Sequence, residues 1–350
     1  MKYVPLQTID GGTAVGNSYI STAARCWRKF FNTYWLPTVD AAGQVQAHGV
    51  EPIKKGKGLV TGSIFHKGME VYYRSGCRDG SDTGEYRLDK AIAAIEAAFG
   101  EQRELYENAE LAEGELVNLK TMMLQYDEEV GPNGKAPDYP SMQVVCNDLT
   151  GEPMIETDWV IPLDYKDYYL TCRTDLIVNE LGFIKSLEHK TSIASYVNQR
   201  LRSIHTDSQF TTEIYAMQQG LPGEPTSGAR CNVITSHRAV RSTLRPVNRE
   251  TTTRTAGQLR EFRDMCVDTL MQIDERLGNY NEWIDRGIAA EHAKSVWFPT
   301  TGTMTQTCDA YGGCHFLIVC KNPERAHLQM GSYKPRIVTP QVTLQIEETN

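Results

Sequence analysis

The sequence predicts an α/β or α+β domain, because strand-like segments are framed by helical segments along the chain. Apolar residues recur at helical spacing up to about Gln125, and strand-like apolar runs begin near Met142. A further helical pattern extends from about Thr252 to Asp285. With 350 residues, of which 40% are hydrophobic and 23% are charged, the chain is long enough for one large domain or two.

The N-terminal part is predicted to be mainly helical. Ser18–Leu36 carries aromatic residues three to four positions apart, and Ser63–Arg74 forms a second helix that carries His66. Between them, Glu51–Gly62 is rich in glycine and lysine, which predicts a loop. This loop lacks the Gly-Lys-Ser/Thr ending of a phosphate-binding loop, so we exclude that function. Arg87–Gln125 predicts one or two amphipathic helices.

The central part is predicted to contain the sheet. Its strands are expected near Met142, from Ile155, from Tyr168, from Phe183, and at Cys231–Thr235 and Ser242–Val247. The sequence Asn-Glu-Leu-Gly between the third and fourth of these strands is suited to a hairpin-like turn. A helix with Gln209 and Tyr215 follows, and a cysteine-rich segment ends the chain.

The charge distribution limits the classes of partner. A net charge of −8 argues against a uniformly basic nucleic-acid coat, although a local basic channel stays open. Arg230–Arg263 contains eight arginines and two glutamates, which also fits a solvated helix face. No apolar run approaches the roughly 20 residues of a membrane span, and the N-terminus lacks the apolar core of a signal peptide. We therefore expect a cytoplasmic protein.

The run from Tyr169 to Ser192 carries the strongest chemical signal. Asp175 ends one apolar run, and Glu188 and Lys190 follow in the next. On a strand, Glu188 and Lys190 point to one side while His189 points to the other. Carboxylates bind hard divalent cations, which offset the negative charge of a phosphodiester and lower the pKa of the attacking water. The pattern therefore predicts a phosphodiester-cleaving site that uses Mg²⁺ or Mn²⁺.

Other side chains are candidates for the same site. The carbonyl of His189 could add a ligand to those of Asp175 and Glu188, and His66 is a further candidate whose imidazole would favour Mn²⁺. Lys190 could orient the attacking water or stabilise charge in the transition state. The bare pattern also fits an exposed Glu-His-Lys triplet on an edge strand and a hydrogen-bonded helix histidine, and both alternatives stay open.

Several segments together resemble the RecB-like branch of the PD-(D/E)xK nucleases, which includes CRISPR-associated iron–sulfur exonucleases and related phage enzymes. The matching segments are GSIFHKGMEVYY, CRTDLIV, LEHKTS and QFTTEIYAMQQG. The resemblance implies a restriction-endonuclease-like core with a mixed central sheet flanked by helices. It also implies His66, Asp175 and Glu188 as metal ligands and Lys190 as the catalytic lysine.

The fourth segment implies two more functional residues. It is similar to a Gln-Tyr helix of the family, whose side chains contact the lysine or the DNA, and it places Gln209 and Tyr215 in those roles. The spacing between them is wider than in the family, and Gln218 or Gln219 is the alternative glutamine. Cys172 stands where the family has glycine.

The nine cysteines argue against a framework of disulfide bonds, because the count is odd and no export signal is evident. Metal binding and buried thiols are the two alternatives. Cys308, Cys314 and Cys320 lack the close pairs of a structural zinc site, whereas four thiolates can hold a [4Fe–4S] cluster. Cys26 on the aromatic N-terminal helix is the expected fourth ligand. In the resembling nucleases, such a cluster joins the N- and C-terminal segments. Three buried C-terminal thiols with Cys26 in the core are the alternative.

The leading functional prediction is a metal-dependent deoxyribonuclease, expected to be an exonuclease on single-stranded DNA or DNA ends. It would act in recombination, repair or phage DNA metabolism, with a recombinase or helicase as a possible partner. The alternative is a non-catalytic DNA-binding scaffold subunit of a helicase–nuclease or recombinase complex. An iron–sulfur redox protein is less well supported, because no flavin or nicotinamide motif is present.

The chain is expected to form a single nuclease domain over residues 1–350. Residues 1–60 would be an N-terminal helical segment with the first cluster cysteine, and residues 61–250 would be the nuclease core. Residues 251–350 would hold the long helix and the remaining cluster cysteines. Oligomeric state is left open by the sequence.

Overall fold

The computed structural model describes residues 13–39, 45–53, 57–77, 84–106, 108–135, 141–147, 150–236, 246–300, 308, 314–321 and 330–336. The chain divides into two compact units. The first comprises residues 1–7, 56–161 and 171–259, and the second comprises residues 8–55, 162–170 and 260–350. In the described ranges, no helix combines the length and the apolar character needed to cross a membrane.

Along the described ranges, runs of helices follow runs of strands. The α-helices are α1 (Asn17–Arg25), α2 (Trp27–Tyr34), α3 (Lys57–Cys77), α4 (Gly84–Gln102), α5 (Ala109–Val130), α6 (Val197–Ser203), α7 (Ser208–Gly220), α8 (Ala256–Asp285), α9 (Ala290–Trp297) and α10 (Leu317–Lys321). The strands are β1 (Thr13–Gly16), β2 (Pro37–Val39), β3 (Val45–His48), β4 (Val50–Pro52), β5 (Met142–Val144), β6 (Ile155–Pro162), β7 (Tyr168–Glu180), β8 (Phe183–Ile193), β9 (Thr226–Ser236), β10 (Val247–Thr252) and β11 (Tyr333–Pro335).

The first unit is built on a mixed sheet with the strand order β7-β8-β9-β10, and β5 and β6 both pair with β7. β8 and β9 run parallel, whereas the β7–β8 and β9–β10 pairs are antiparallel. Helices α3, α4 and α5 bury Phe65, Ile95 and Tyr126 in one cluster with Leu187 and Ile234 of the sheet. The predicted mixed α/β fold, with a central sheet flanked by helices, is confirmed.

A two-residue turn connects β7 to β8. Leu181 and Gly182 both have positive φ, 54° and 88°, as in the hairpin turn whose twist matches that of the strands. The paired register then runs from Glu180↔Phe183 to Leu176↔Leu187. Asp175 and Glu188 are the next residues on each strand, so the hairpin predicted from Asn-Glu-Leu-Gly brings them close together.

Several predicted element bounds differ from the observed ones. Helix α3 begins at Lys57 rather than Ser63, because Val60 and Thr61 are buried against the rest of the first unit. The predicted strand Ser242–Val247 lies mostly outside the described residues, and the observed strand β10 runs from Val247 to Thr252. The long helix begins at Ala256 because Thr252 still pairs in β10.

The predicted N-terminal helix is interrupted at Cys26. This residue has an extended backbone, with φ −162° and ψ 109°, and it separates α1 from α2. Its Sγ accepts a hydrogen bond from the Lys29 amide at 3.5 Å and so caps α2. The interruption was not predicted, because the sequence has neither glycine nor proline at this point.

The second unit brings distant parts of the chain together. Phe31 of α2 packs on Tyr280 of α8 and on Phe298, with ring centroids 5.1 and 4.6 Å apart. The Arg28 guanidinium donates to the Phe298 carbonyl at 2.7 Å, and β11 pairs with β4. The organisation as a single nuclease domain stays a prediction.

Candidate active site

The residues of the predicted site come from four elements of the first unit. Asp175 lies on β7, His66 lies on α3, and Gln209 lies in the first turn of α7. Glu188 and Lys190 lie on β8, the strand that also carries His189. Side chains far apart in sequence therefore meet at the point where the β7–β8 pairing ends.

Lys190 is the centre of a polar network. Its Nζ donates to Glu188 Oε1 and, at 3.0 Å, to Gln209 Oε1. The amide of Gln209 also donates to Glu188 Oε1 at 2.7 Å. Of the alternative glutamines, Gln218 and Gln219 are both exposed. Gln209 is thus the glutamine of α7 that contacts the lysine.

Asp175 is held in its ionised form. Its Oδ2 accepts from the His189 backbone amide at 2.7 Å, and its Oδ1 lies 3.4 Å from His66 Nδ1. Burial acts to raise the pKa of Asp175, but the hydrogen bonds and charges of His189 and His66 outweigh it and hold that pKa well below its usual range. The same carboxylate satisfies a backbone donor where the strands separate.

The neighbouring acids raise the pKa of both cationic groups of the site, His66 and Lys190. Burial acts to lower the pKa of His66, but the hydrogen bond to Asp175 and the charges of Asp175 and Glu188 raise it to about 9. Burial likewise opposes ionisation of Lys190, yet the charges of Glu188 and Asp175 raise the pKa of the ammonium above its usual range. Lys190 therefore stays protonated in this site.

Glu188 has one oxygen in the network and one oxygen outside it. The residue is 2% exposed, and its Oε2 is buried without a hydrogen-bond partner. Burial and the negative charge of Asp175 raise the pKa of Glu188. A buried carboxylate oxygen without a donor is energetically costly in a protein interior, and a cation would relieve that cost.

His189 turns its ring away from the lysine network, as strand alternation predicts. The ring is 1% exposed and packs among aromatic residues, with Nε2 3.1 Å from the Tyr126 hydroxyl. Its backbone amide, as noted, contacts Asp175. A ligand role for its carbonyl stays a prediction.

One group of side chains has the geometry of a metal site. Ligand atoms of His66, Glu156 and Asp175 all lie within 4.8 Å of one another, and within the described residues no other group of histidines, cysteines and acids does so. Two carboxylates and an imidazole suit a small divalent cation. Glu156 was not predicted, because the sequence around it offers no spacing or motif that singles it out.

A second residue missed by sequence reasoning lies behind the network. Glu213 is fully buried on α7, where it accepts from Gln209 Nε2 and from Ser186 Oγ, both at 3.0 Å. Burial and the charge of Glu188 raise its pKa well above the usual value, which favours a neutral acid. Tyr215, predicted for this region, is 7% exposed on the same helix.

The four cysteines of the predicted cluster all belong to the second unit and are half-buried. The Cys314 amide donates to the Cys308 carbonyl at 2.6 Å. Burial raises the pKa of Cys320 to about 11, and charges on Cys314, Cys26 and Cys308 contribute to the rise. Their sulfurs do not form a group as tight as that of His66, Glu156 and Asp175.

The arginine-rich segment is only partly described. Arg230 pairs with Glu180 at 2.5 Å, and Arg254 donates to Thr211 at 2.9 Å. The segment's arginines at 238, 241 and 245 lie outside the described residues. Arg230 and Arg254 therefore contact other residues of the protein, and a basic DNA channel stays a prediction.

Comparison with known families gives one result. A family model described as PD-(D/E)XK nuclease superfamily matches residues 17–321. No curated protein matches the chain. The matched range includes every residue of the lysine network and of the metal-site group.

Proposed function

Because the chain belongs to the PD-(D/E)XK nuclease superfamily, we propose that it is a metal-dependent deoxyribonuclease, specifically an exonuclease acting on single-stranded DNA or DNA ends. Members of the superfamily are typically metal-dependent nucleases, and the nuclease fold implies DNA as the substrate. The observation that supports the proposal best is the Lys190 ammonium, which contacts Glu188 and Gln209 beside the ionised Asp175.

The residues present fit a divalent cation. His66, Glu156 and Asp175 offer a converging ligand set, and the unpartnered Glu188 Oε2 offers a further oxygen nearby. When bound, Mg²⁺ or Mn²⁺ supplies positive charge beside the scissile phosphate and lowers the pKa of the attacking water. An imidazole among the ligands favours Mn²⁺.

The protein groups have separable roles. Lys190 is protonated, so it acts by its charge and its hydrogen bonds rather than as a base, and it stabilises negative charge that develops on the phosphate. Gln209 fixes the direction of the Lys190 ammonium through its own carbonyl oxygen. His189 orients Asp175 through the backbone amide.

A [4Fe–4S] cluster held by Cys26, Cys308, Cys314 and Cys320 is part of the proposal. Its support is that these residues lie in one unit. In addition to burial, charge on Cys26 and Cys308 raises the pKa of both Cys314 and Cys320. Cys26 interrupts the N-terminal helix, and this leaves its thiol at a helix start beside Lys29. Four cysteine sulfurs are the ligands that such a cluster needs. The cluster's role would be structural, joining the N- and C-terminal segments.

The finer assignments are also proposals. The order of the motifs supports the RecB-like branch. A phage origin and a role in DNA recombination or repair with a recombinase or helicase partner stay predictions. A cytoplasmic location stays a prediction. The presence of Asp175, Glu188 and Lys190 together argues against the alternative of a non-catalytic scaffold subunit.

The test uses the full-length protein with end-labelled linear and circular single strands and linear duplex, each with Mn²⁺ or Mg²⁺. We expect linear strands to be shortened and circles to survive. Lys190→Ala should lower the rate by about a hundredfold or more, because a charge that stabilises the transition state is lost. The matched control is Lys185→Ala on the same strand, whose ion pair with Glu180 lies outside the site.

Two results would contradict the proposal. Cutting that persists in Lys190→Ala would show that the network is not the active site. Degradation of circles at the rate of linear strands would show an endonuclease instead of an exonuclease. Circular dichroism of both variants checks that they fold.

A further inference from the structure

Glu156 has an unusual backbone for its position. It is the second residue of β6, and its φ is 48°. Elsewhere in the described chain, the non-glycine residues with positive φ lie in bends and turns: Asp164, Lys166 and Leu181. A left-handed residue inside a strand interrupts the regular alternation of side chains between the two faces of the sheet.

The Glu156 carboxylate lies beside a small cavity. The cavity has a volume of about 10 Å³, and its lining includes His66, Glu156 and Asp175. A space of roughly 10–15 Å³ holds one water molecule or one small ion. In the described part of the chain, the Glu156 carboxylate makes no hydrogen bond or ion pair. Its oxygen lies within 4.8 Å of ligand atoms of both His66 and Asp175.

The structure assigns to Glu156 a role as a ligand of the divalent cation, shared with His66 and Asp175. This inference rests on the proposed function, since it concerns the same site. It adds a third acid to the two that the sequence motifs identify. The favoured ligand is a small divalent ion that accepts one nitrogen donor, as Mn²⁺ does.

A buried oxygen near this group of ligand atoms supports the assignment. The buried Glu188 Oε2, close enough for Asp175 and His66 to act on it, has no other partner.

The test measures binding of Mn²⁺ alone, without DNA, by calorimetry on the full-length protein. Glu156→Gln keeps the shape of the side chain and removes its charge. We expect a loss of at least about tenfold in Mn²⁺ affinity, because substitutions even beyond the direct ligands cost about that much. Without metal, the variant should melt no lower than wild type, since repulsion from Asp175 is removed.

Glu70→Gln is the matched control. Glu70 lines the same cavity, but its oxygens accept from Lys67 and Arg74. The Glu70→Gln substitution removes a negative charge from the wall of the same cavity but leaves the proposed ligand in place. It should therefore change the affinity for Mn²⁺ much less than Glu156→Gln does. If both variants lost the same amount of Mn²⁺ affinity, the effect of Glu156 would be explained by its charge alone. That result would overturn the assignment of Glu156 as a ligand.

Two further outcomes are distinguishable. If Glu156→Gln binds Mn²⁺ as wild type does while Asp175→Asn does not, the role of Glu156 is wrong and the proposed nuclease site stands. If wild type binds no Mn²⁺ and cuts no DNA, the proposed function itself fails.

Discussion

At the scale of single residues, His66 links the stability of the metal-free protein to pH. Its pKa in the folded state is about 9, above the ordinary value of 6.5. Because the pKa is raised, the contact with Asp175 stabilises the folded state fully below about pH 6.5. This stabilisation is lost as the pH rises through about 9. The contact is protected from solvent, since the His66 side chain is 26% exposed.

We therefore predict that His66→Gln destabilises the protein on the order of 1–3 kcal/mol near pH 6 in the presence of EDTA. Near pH 10 the difference from wild type should be much smaller, because the wild-type imidazole is then neutral too. Urea unfolding of both proteins at the two pH values measures this. An equal difference at both would show that the ion pair does not account for the effect.

The same proton has a consequence for metal binding. A metal ligand must be neutral at the coordinating nitrogen, so the cation competes with the proton on His66. Affinity for Mn²⁺ should accordingly rise with pH up to about 9. Loading the protein near neutral pH releases protons, which calorimetry in buffers of different ionisation enthalpy detects.

At the scale of elements, the β7–β8 turn sets the geometry of the site. Leu181 is 78% exposed at a φ of 54°, so its left-handed backbone is unfavourable and its side chain adds little packing that would offset the cost. Gly182 has a φ of 88° and open space around its α-carbon, so any added side chain would be strained rather than clashing. The turn is therefore a place where backbone preference alone can be tested.

We predict that Gly182→Ala lowers the free energy of unfolding by about 1–2 kcal/mol, whereas Leu181→Asn raises it by roughly 0.5–1 kcal/mol. Gly100→Ala is the matched control, because Gly100 lies in α4 with open space around it and should gain from the helix preference of alanine. Chemical denaturation compares all three. A neutral Gly182→Ala would show that the turn is not fixed by its left-handed residues.

The hairpin also shows how far sequence reasoning reaches. Alternating apolar residues and a short turn motif predicted β7, β8 and the approach of Asp175 to Glu188, because these depend on neighbouring residues. The motif resemblance predicted His66 and Lys190, and the structure places them in this region. The local sequence pattern was sufficient to predict these features, because each depends on a single strand or a single turn.

Other features depend on contacts that no local pattern encodes. Glu156 lies beside His66 and Asp175 with a left-handed backbone inside β6, and a lone glutamate in a strand gives no sign of this. Glu213 could have been found, since it lies one helical turn after Gln209, but the resemblance directed attention to Tyr215 two residues later. The interruption at Cys26 depends on packing in the second unit.

At the scale of the whole molecule, the proposed cluster would tie together residues that are far apart in sequence. Closing so long a loop with a metal centre restricts the unfolded chain and stabilises the fold. We predict that protein purified anaerobically is brown and holds roughly four irons and four sulfides per chain. Cys308→Ser should lose the colour and the iron and should melt at a lower temperature.

Cys146→Ser is the control, because Cys146 is an exposed free thiol in the first unit. It should keep iron, colour and melting temperature. Bound zinc in place of iron, or an unchanged iron content in Cys308→Ser, would contradict the cluster. Activity of Lys190→Ala is independent of either outcome, since the lysine network belongs to the first unit.

Asp175 has a double duty that bears on how relatives should be judged. Its carboxylate accepts the His189 amide where the two strands part company. A relative that does not cut DNA would still need an acceptor there to keep its sheet intact. The presence of this aspartate in a distant homologue is thus weak evidence for nuclease activity, and a lysine at the position of Lys190 is stronger evidence.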